Sequence, residues 1–172
     1  MNANVLRPEK RVKRYKNVIF LAGPIQGAPD WQEEAINIIE TEYTKIKNPD
    51  YKIACPRRLS GIDKSKDFNY NLQVDWETFY LNQAAENGVI LFWLAKKIEY
   101  DLKRDFSQTS RFELGEWVTK HQQNNNIQIV VGIEPGFSGE KYIRKRLKKD
   151  CPLIPIFDDL HKTCIKAIAL NL

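Results

Sequence analysis

Two carboxylates stand where acid–base or nucleophilic chemistry could be done. Glu113 lies in Ser110-Arg111-Phe112-Glu113-Leu114-Gly115-Glu116-Trp117, just after the most apolar run of the chain and its following loop. In the first turn of a helix its carboxylate is expected to be ionised, favoured by the helix dipole. It could then attack an electrophilic carbon, with Gly115 leaving room for the approach. The spacing Ser110-x-x-Glu113 equally fits a capping box, which needs no function. Glu77, in Asp75-Trp76-Glu77, shares a helix column with Leu81 and Ala84 and has Phe79 and Tyr80 nearby. Partial desolvation there would let it hold and donate a proton; the plain alternative is a salt-bridged helix glutamate. Arg57 and Arg58 follow Pro56 in tandem. They could grip a phosphate, or one could pair with a carboxylate while the other faces water.

Other chemistries lack their residues. There is no GxGxxG or Walker loop, and no HExxH, CxxC or GxSxG. His121 and His161 lie on polar helical stretches and are expected at the surface rather than on a metal. Cys55 ends an apolar run and reads as core. With Cys151 and Cys164 it makes an odd, widely spaced set, neither a disulfide framework nor a zinc pattern.

The 172 residues suit one domain, and 42% hydrophobic content supplies a real core. No apolar run is long enough to span a membrane, and a reduced, cytoplasmic protein is expected. The net charge of +5 is concentrated in residues 1–16, where six basic side chains face Glu9 alone. This stretch reads as a basic extension ahead of a balanced domain, 17–172, and nucleic acid is not the expected partner.

The elements alternate. Asn17–Ala22, Tyr51–Cys55, Val89–Leu94, Ile127–Ile133 and Leu153–Phe157 read as buried strands, with Val89–Leu94 central. Helices are expected from Asp30, over Asn71–Asn87, from Arg111 to about Gln122, over Glu140–Lys149 and near Asp159–Leu170. Asp30 and Glu33 have capping-box spacing. Arg57–Tyr70 and Ala95–Thr109 are expected as loops. The alternation predicts an α/β fold: a flavodoxin-like, doubly wound three-layer sandwich on a five-stranded parallel sheet. Ligands in such sheets sit beyond the carboxyl ends of the strands, where strand order reverses. That points to Gly23, Pro24, Ile25 and Gln26, to Arg57 and Arg58, and to the helix start near Ser110.

Four pieces in order carry a family likeness. They are Ile19-Phe20-Leu21-Ala22-Gly23-Pro24 with Asp30-Trp31; Pro56-Arg57-Arg58; Gln73-Val74-Asp75-Trp76-Glu77; and Ile90-Leu91-Phe92-Trp93 followed by Phe112-Glu113-Leu114-Gly115. With Val130-Val131-Gly132-Ile133, they make the chain resemble the nucleoside 2-deoxyribosyltransferase-like family over Asn17 to Leu147. The resemblance implies that Glu113 attacks the anomeric carbon of a nucleoside and displaces the base, with Glu77 orienting the base or handling its proton. Gly23, Pro24, Trp31 and Ser110 would shape the pocket, and Arg57 or Arg58 would meet a phosphate if the substrate is a nucleotide. It implies a homodimer or larger homo-oligomer, with no metal and no cofactor. The chain departs from the pattern in three places: Ile19 and Phe20 occupy the place of a tyrosine, Glu77 that of an aspartate, and Glu86-Asn87-Gly88 lengthens the approach to the third strand.

The reading is therefore an enzyme that cleaves, and in some settings transfers, the N-glycosidic bond of a (deoxy)nucleoside or nucleotide through a glycosyl-glutamate. The alternatives are a non-catalytic nucleotide-binding module on the same fold, and an N-glycosidase acting on a dinucleotide such as NAD.

Overall fold

Runs such as Val18–Ala22 and Val89–Leu94 are apolar at every position, which suits strands covered on both faces. In the computed structural model, residues 4–8, 12–47, 50–59, 69–99 and 105–172 are described. Their strands are β1 (Val5–Leu6), β2 (Val18–Ala22), β3 (Lys52–Ala54), β4 (Gly88–Leu94), β5 (Gln128–Ile133) and β6 (Ile156–Phe157). Their helices are α1 (Trp31–Lys45), α2 (Tyr70–Asn87), α3 (Gln108–Gln123), α4 (Glu140–Asp150) and α5 (Leu160–Asn171). The strands form one all-parallel sheet in the order β1-β3-β2-β4-β5-β6. Leaving out β1, the order matches a flavodoxin-like winding, with β4 inside the sheet as expected.

Among the described residues the strand count is six rather than five. Val5 and Leu6 pair with Ile53 and Ala54, so part of the stretch read as a basic extension adds an edge strand. Arg7 then reaches back to the Arg57 carbonyl at 2.6 Å and pairs with Glu33 at 2.9 Å. Tyr15 donates its backbone N–H to Gln83 at 3.0 Å. A two-residue strand carries too short a pattern to stand out in a basic stretch. Lys10 and Arg11 lie outside the described residues, as do 60–68 and 100–104 of the two expected loops.

Alternate residues of each strand feed two cores, which makes three layers. Val18, Phe20, Ala22, Ile90, Phe92 and Leu94 pack against Trp76, Tyr80, Leu114, Trp117 and Leu147 of α2, α3 and α4. Ile19, Leu21, Val89, Leu91 and Trp93 pack on the other face against Ala35, Ile39, Cys164 and Ala167 of α1 and α5. The winding reverses between β2 and β4: the chain crosses to β3 on one side, then returns to β4 on the other. The crevice this opens lies beyond Ala22 and Leu94. Helix α2 leaves the β3 end of the sheet and runs back toward the start of β4, so its first turns stand at that same edge.

Helix ends follow their sequence signals in part. Asp30 accepts the Glu33 N–H at 3.3 Å, but Glu33 gives its own carboxylate to Arg7, so the box is half made. Asn69 and Asp159 cap α2 and α5 in the same way, at 3.2 and 2.7 Å. Helix α3 starts at Gln108, three residues earlier than expected, behind a left-handed Ser107 whose side chain makes no cap bond. Ser110 is thus inside the helix and caps nothing, and Glu113 sits in the second turn rather than the first. His121 is also corrected. It is 6% exposed, with Nδ1 2.9 Å from the Ile127 carbonyl, because Leu114, Trp117 and His121 share the inward face of α3. Among the described residues no helix is long and apolar enough to cross a membrane.

Candidate active site

A cleft of about 390 Å³ opens at the crevice, between α2 and α3. That volume lies within the range of small-molecule sites, roughly 300–1,000 Å³. Phe20, Ala22 and Gly23 line it from β2 and its exit; Gln73, Glu77 and Leu81 from α2; Ser110, Glu113 and Glu116 from α3. Tyr70 and Phe112 stand at the rim, 61% and 75% exposed. Of the residues singled out from the sequence, Glu113, Glu77, Gly23, Ile25, Gln26 and Ser110 meet in this one cleft.

Glu113 and Glu77 reach it for a geometric reason. Each lies in the early turns of a helix whose N-terminal end stands at the carboxyl edge of the sheet. Glu113 is half-buried. Burial, and then the negative charges of Glu77 and Glu116, push its carboxyl up from the usual 4.5 to about 8. The expectation of an ionised carboxylate is overturned: from the second turn the helix dipole is weaker, and desolvation beside two like charges outweighs it. Burial and the two neighbouring charges thus favour the protonated form of Glu113 at neutral pH. Glu116, on the same helix as Glu113, pairs with Lys120 at 2.6 Å.

Glu77 is held by a residue that sequence reasoning passed over. Gln73, one turn earlier on α2 and 5% exposed, donates from Nε2 to Glu77 Oε1 at 2.7 Å. The same nitrogen donates to the Pro56 carbonyl at 2.9 Å, and Gln73 Oε1 accepts from Arg58 Nε at 3.1 Å. The available signal was the i, i+4 spacing of Gln73 and Glu77, which puts both on one helix face.

The remaining assignments move outside the cleft. Trp31 is 2% exposed and sits behind the β2–α1 loop, its indole N–H bonded to the Pro24 carbonyl at 2.8 Å. Pro24 does not line the cleft; it lines a small recess beside it. Gly115 turns toward a separate groove between α3 and α4, and a Cβ added there would meet nothing within 4 Å. It gives no access to Glu113.

Neither arginine lines the cleft. Arg57 donates from Nη2 to the Ile25 and Pro29 carbonyls at 3.2 and 3.3 Å, and its Nε lies 3.1 Å from both Gln32 Oε1 and Asp30 Oδ1. These bonds staple the β2–α1 loop to the end of β3, which is a structural task. Arg57→Met is expected to lower stability by about 1–3 kcal/mol, since the part-buried carbonyls of Ile25 and Pro29 lose their donor. Thermal melts in buffers with and without phosphate should show that loss equally; a loss confined to one buffer would restore a phosphate role.

Among the described residues no group of three or more His, Cys, Asp or Glu side chains is placed to hold a metal ion. All three cysteines are free and buried. No protein-family model matches the chain, and no curated protein matches it by sequence.

Proposed function

We propose that this chain cleaves the N-glycosidic bond of a (deoxy)nucleoside or nucleotide, as its resemblance to the nucleoside 2-deoxyribosyltransferase-like family implies. One observation carries the reading: two carboxyls, Glu113 and Glu77, come from different helices into a single cleft at the switch point, close enough that the charge of Glu77 bears on Glu113. A glycosidic carbon passing through an oxocarbenium-like state needs an anion on one side and a proton manager on the other.

The proton on Glu113 fits this scheme. As a nucleophile Glu113 must lose it, and a departing purine must gain one. In the proposed step the proton passes from Glu113 to Glu77 and on to the base. A Glu113 oxygen bonds C1′, and the C1′–N bond breaks with its electron pair going to the base. Water, activated by Glu77, then releases the sugar and regenerates the carboxyl; a second base in place of water gives transfer. The active form of the pair is the singly protonated one.

The test is free-base release from a panel of nucleosides and 5′-nucleotides, followed by a pH profile on the best substrate. With a purine deoxynucleoside, kcat/KM should fall about tenfold per pH unit above about pH 8. A rate that climbs through pH 8 to a plateau would mean that Glu113 acts only as a preformed anion. Saturable binding without base release would favour the non-catalytic module. Exposed Tyr70 and Phe112 at the rim support assembly of copies around the cleft, which sedimentation would measure.

A further inference from the structure

Resting on that reading, we propose that Gln73 is a positioning residue: it fixes the carboxylate of Glu77 and so decides which member of the pair carries the proton. Its amide has no slack. Both Nε2 protons are committed, to Pro56 O and to Glu77 Oε1, and Oε1 is committed to Arg58. An amide turned end for end would set its oxygen against the Pro56 carbonyl and the Glu77 carboxylate, and its NH2 against a guanidinium. Its orientation is therefore set from the end of β3, by Pro56 and Arg58, and passed to Glu77 on α2.

The consequence is electrostatic. An amide N–H bonds a carboxylate more strongly than a neutral carboxyl, so Gln73 favours ionised Glu77. Glu113 then faces Glu77 from α2 and Glu116 from its own helix, and among the described residues Lys120 on Glu116 and Arg58 on Gln73 are cations at this site. Burial and these charges together keep the proton on Glu113. Without Gln73 the Glu77 carboxylate loses this N–H donor and is easier to protonate, and the proton shifts toward it. The reactive arrangement, with the proton held ready on Glu113 and Glu77 aimed to pass it on, is lost.

The experiment compares the full wild-type chain with Gln73→Met and Gln73→Asn. Asn keeps an amide but is one methylene too short to span Pro56 and Glu77, and it serves if the Met variant fails to fold. Two readouts are taken: steady-state kinetics on a purine 2′-deoxynucleoside, and titration of the Glu113 carboxyl by 13C NMR. The expected result is a kcat at least tenfold lower with KM changed less than about twofold. The Glu113 midpoint should fall by about half a pH unit or more, carrying the basic limb of the rate profile with it. A merely structural role would move neither midpoint nor limb. If wild type releases base and the variants match it in kcat and midpoint, the positioning role is overturned while the reaction stands. If wild type releases no base, the reaction falls, and the titration alone judges Gln73: equal midpoints in all three chains overturn it.

Discussion

Glu113→Gln is expected to lower base release by about a thousandfold or more while making the folded chain more stable. The activity loss follows from removing the only oxygen proposed to bond C1′; an amide is a poor nucleophile and cannot surrender the proton the base requires. The gain in stability follows from the same burial. A carboxyl held at about 8 when folded and near 4.5 when unfolded keeps a proton that the unfolded chain gives up. Wild type therefore loses stability as pH rises from about 4.5 to about 8, and the penalty is constant above that. The full linkage of that shift is about 5 kcal/mol, and partial solvent access at the half-buried side chain cuts it to about 2 kcal/mol.

Glutamine has no such titration. Its advantage should be nil near pH 4 and greatest at pH 8 and above, about 4–8 °C in Tm for a chain of this size. Melting curves of both proteins at pH 4, 6 and 8.5 measure it. A variant that is less stable than wild type at pH 8.5 would show that Glu113 is an ordinary paired glutamate. A variant that still releases base near the wild-type rate would remove it from the chemistry. Stability stored against activity at one residue is what a strained functional site leaves behind.

Much of the scaffold was legible because its causes are local. Val18–Ala22 and Val89–Leu94 announce buried parallel strands by being apolar throughout, and Asp30 and Asp159 mark helix starts by their side-chain oxygens. Glu113 could be singled out because the alternation of elements says where ligands sit, and Glu77 because its helix column and aromatic neighbours imply partial burial. What stayed hidden depends on partners distant in sequence. Arg57 looks like a phosphate ligand until Ile25, Pro29, Gln32 and Asp30 close around it. Gln73 looks like any helix glutamine until Pro56 and Arg58 are seen to lock it. The charge state of Glu113 turned on the balance of dipole against burial, and burial has no local signature. β1 is two residues long, with Leu6 against one core and Val5 against the other, which is too short a run to leave a pattern to read.

The other large effect is expected at Gly23. A Cβ built there would lie 2.2 Å from the carbonyl oxygen of Trp93 and 2.8 Å from Cζ2 of Trp31. Neither wall can yield cheaply. Trp93 belongs to β4, which is paired on one side with β2 and on the other with β5, where it faces Gly132. Trp31 is buried and pinned by its indole bond to Pro24. Gly23→Ala must therefore push β2's exit away from β4, opening the crevice at its root. The expected cost is about 3 kcal/mol or more, a fall of roughly 6–12 °C in Tm. Gly115→Ala is the matched control, since its Cβ meets nothing within 4 Å on an exposed helix turn. It should stabilise by about 0.5–1 kcal/mol. Equal melting temperatures for the two variants would mean that β2 and β4 do not approach so closely at Gly23, and the floor of the cleft would have to be redrawn. If the opposite signs are found, any ligand in the cleft meets bare backbone at its floor, because a side chain at position 23 cannot be accommodated there.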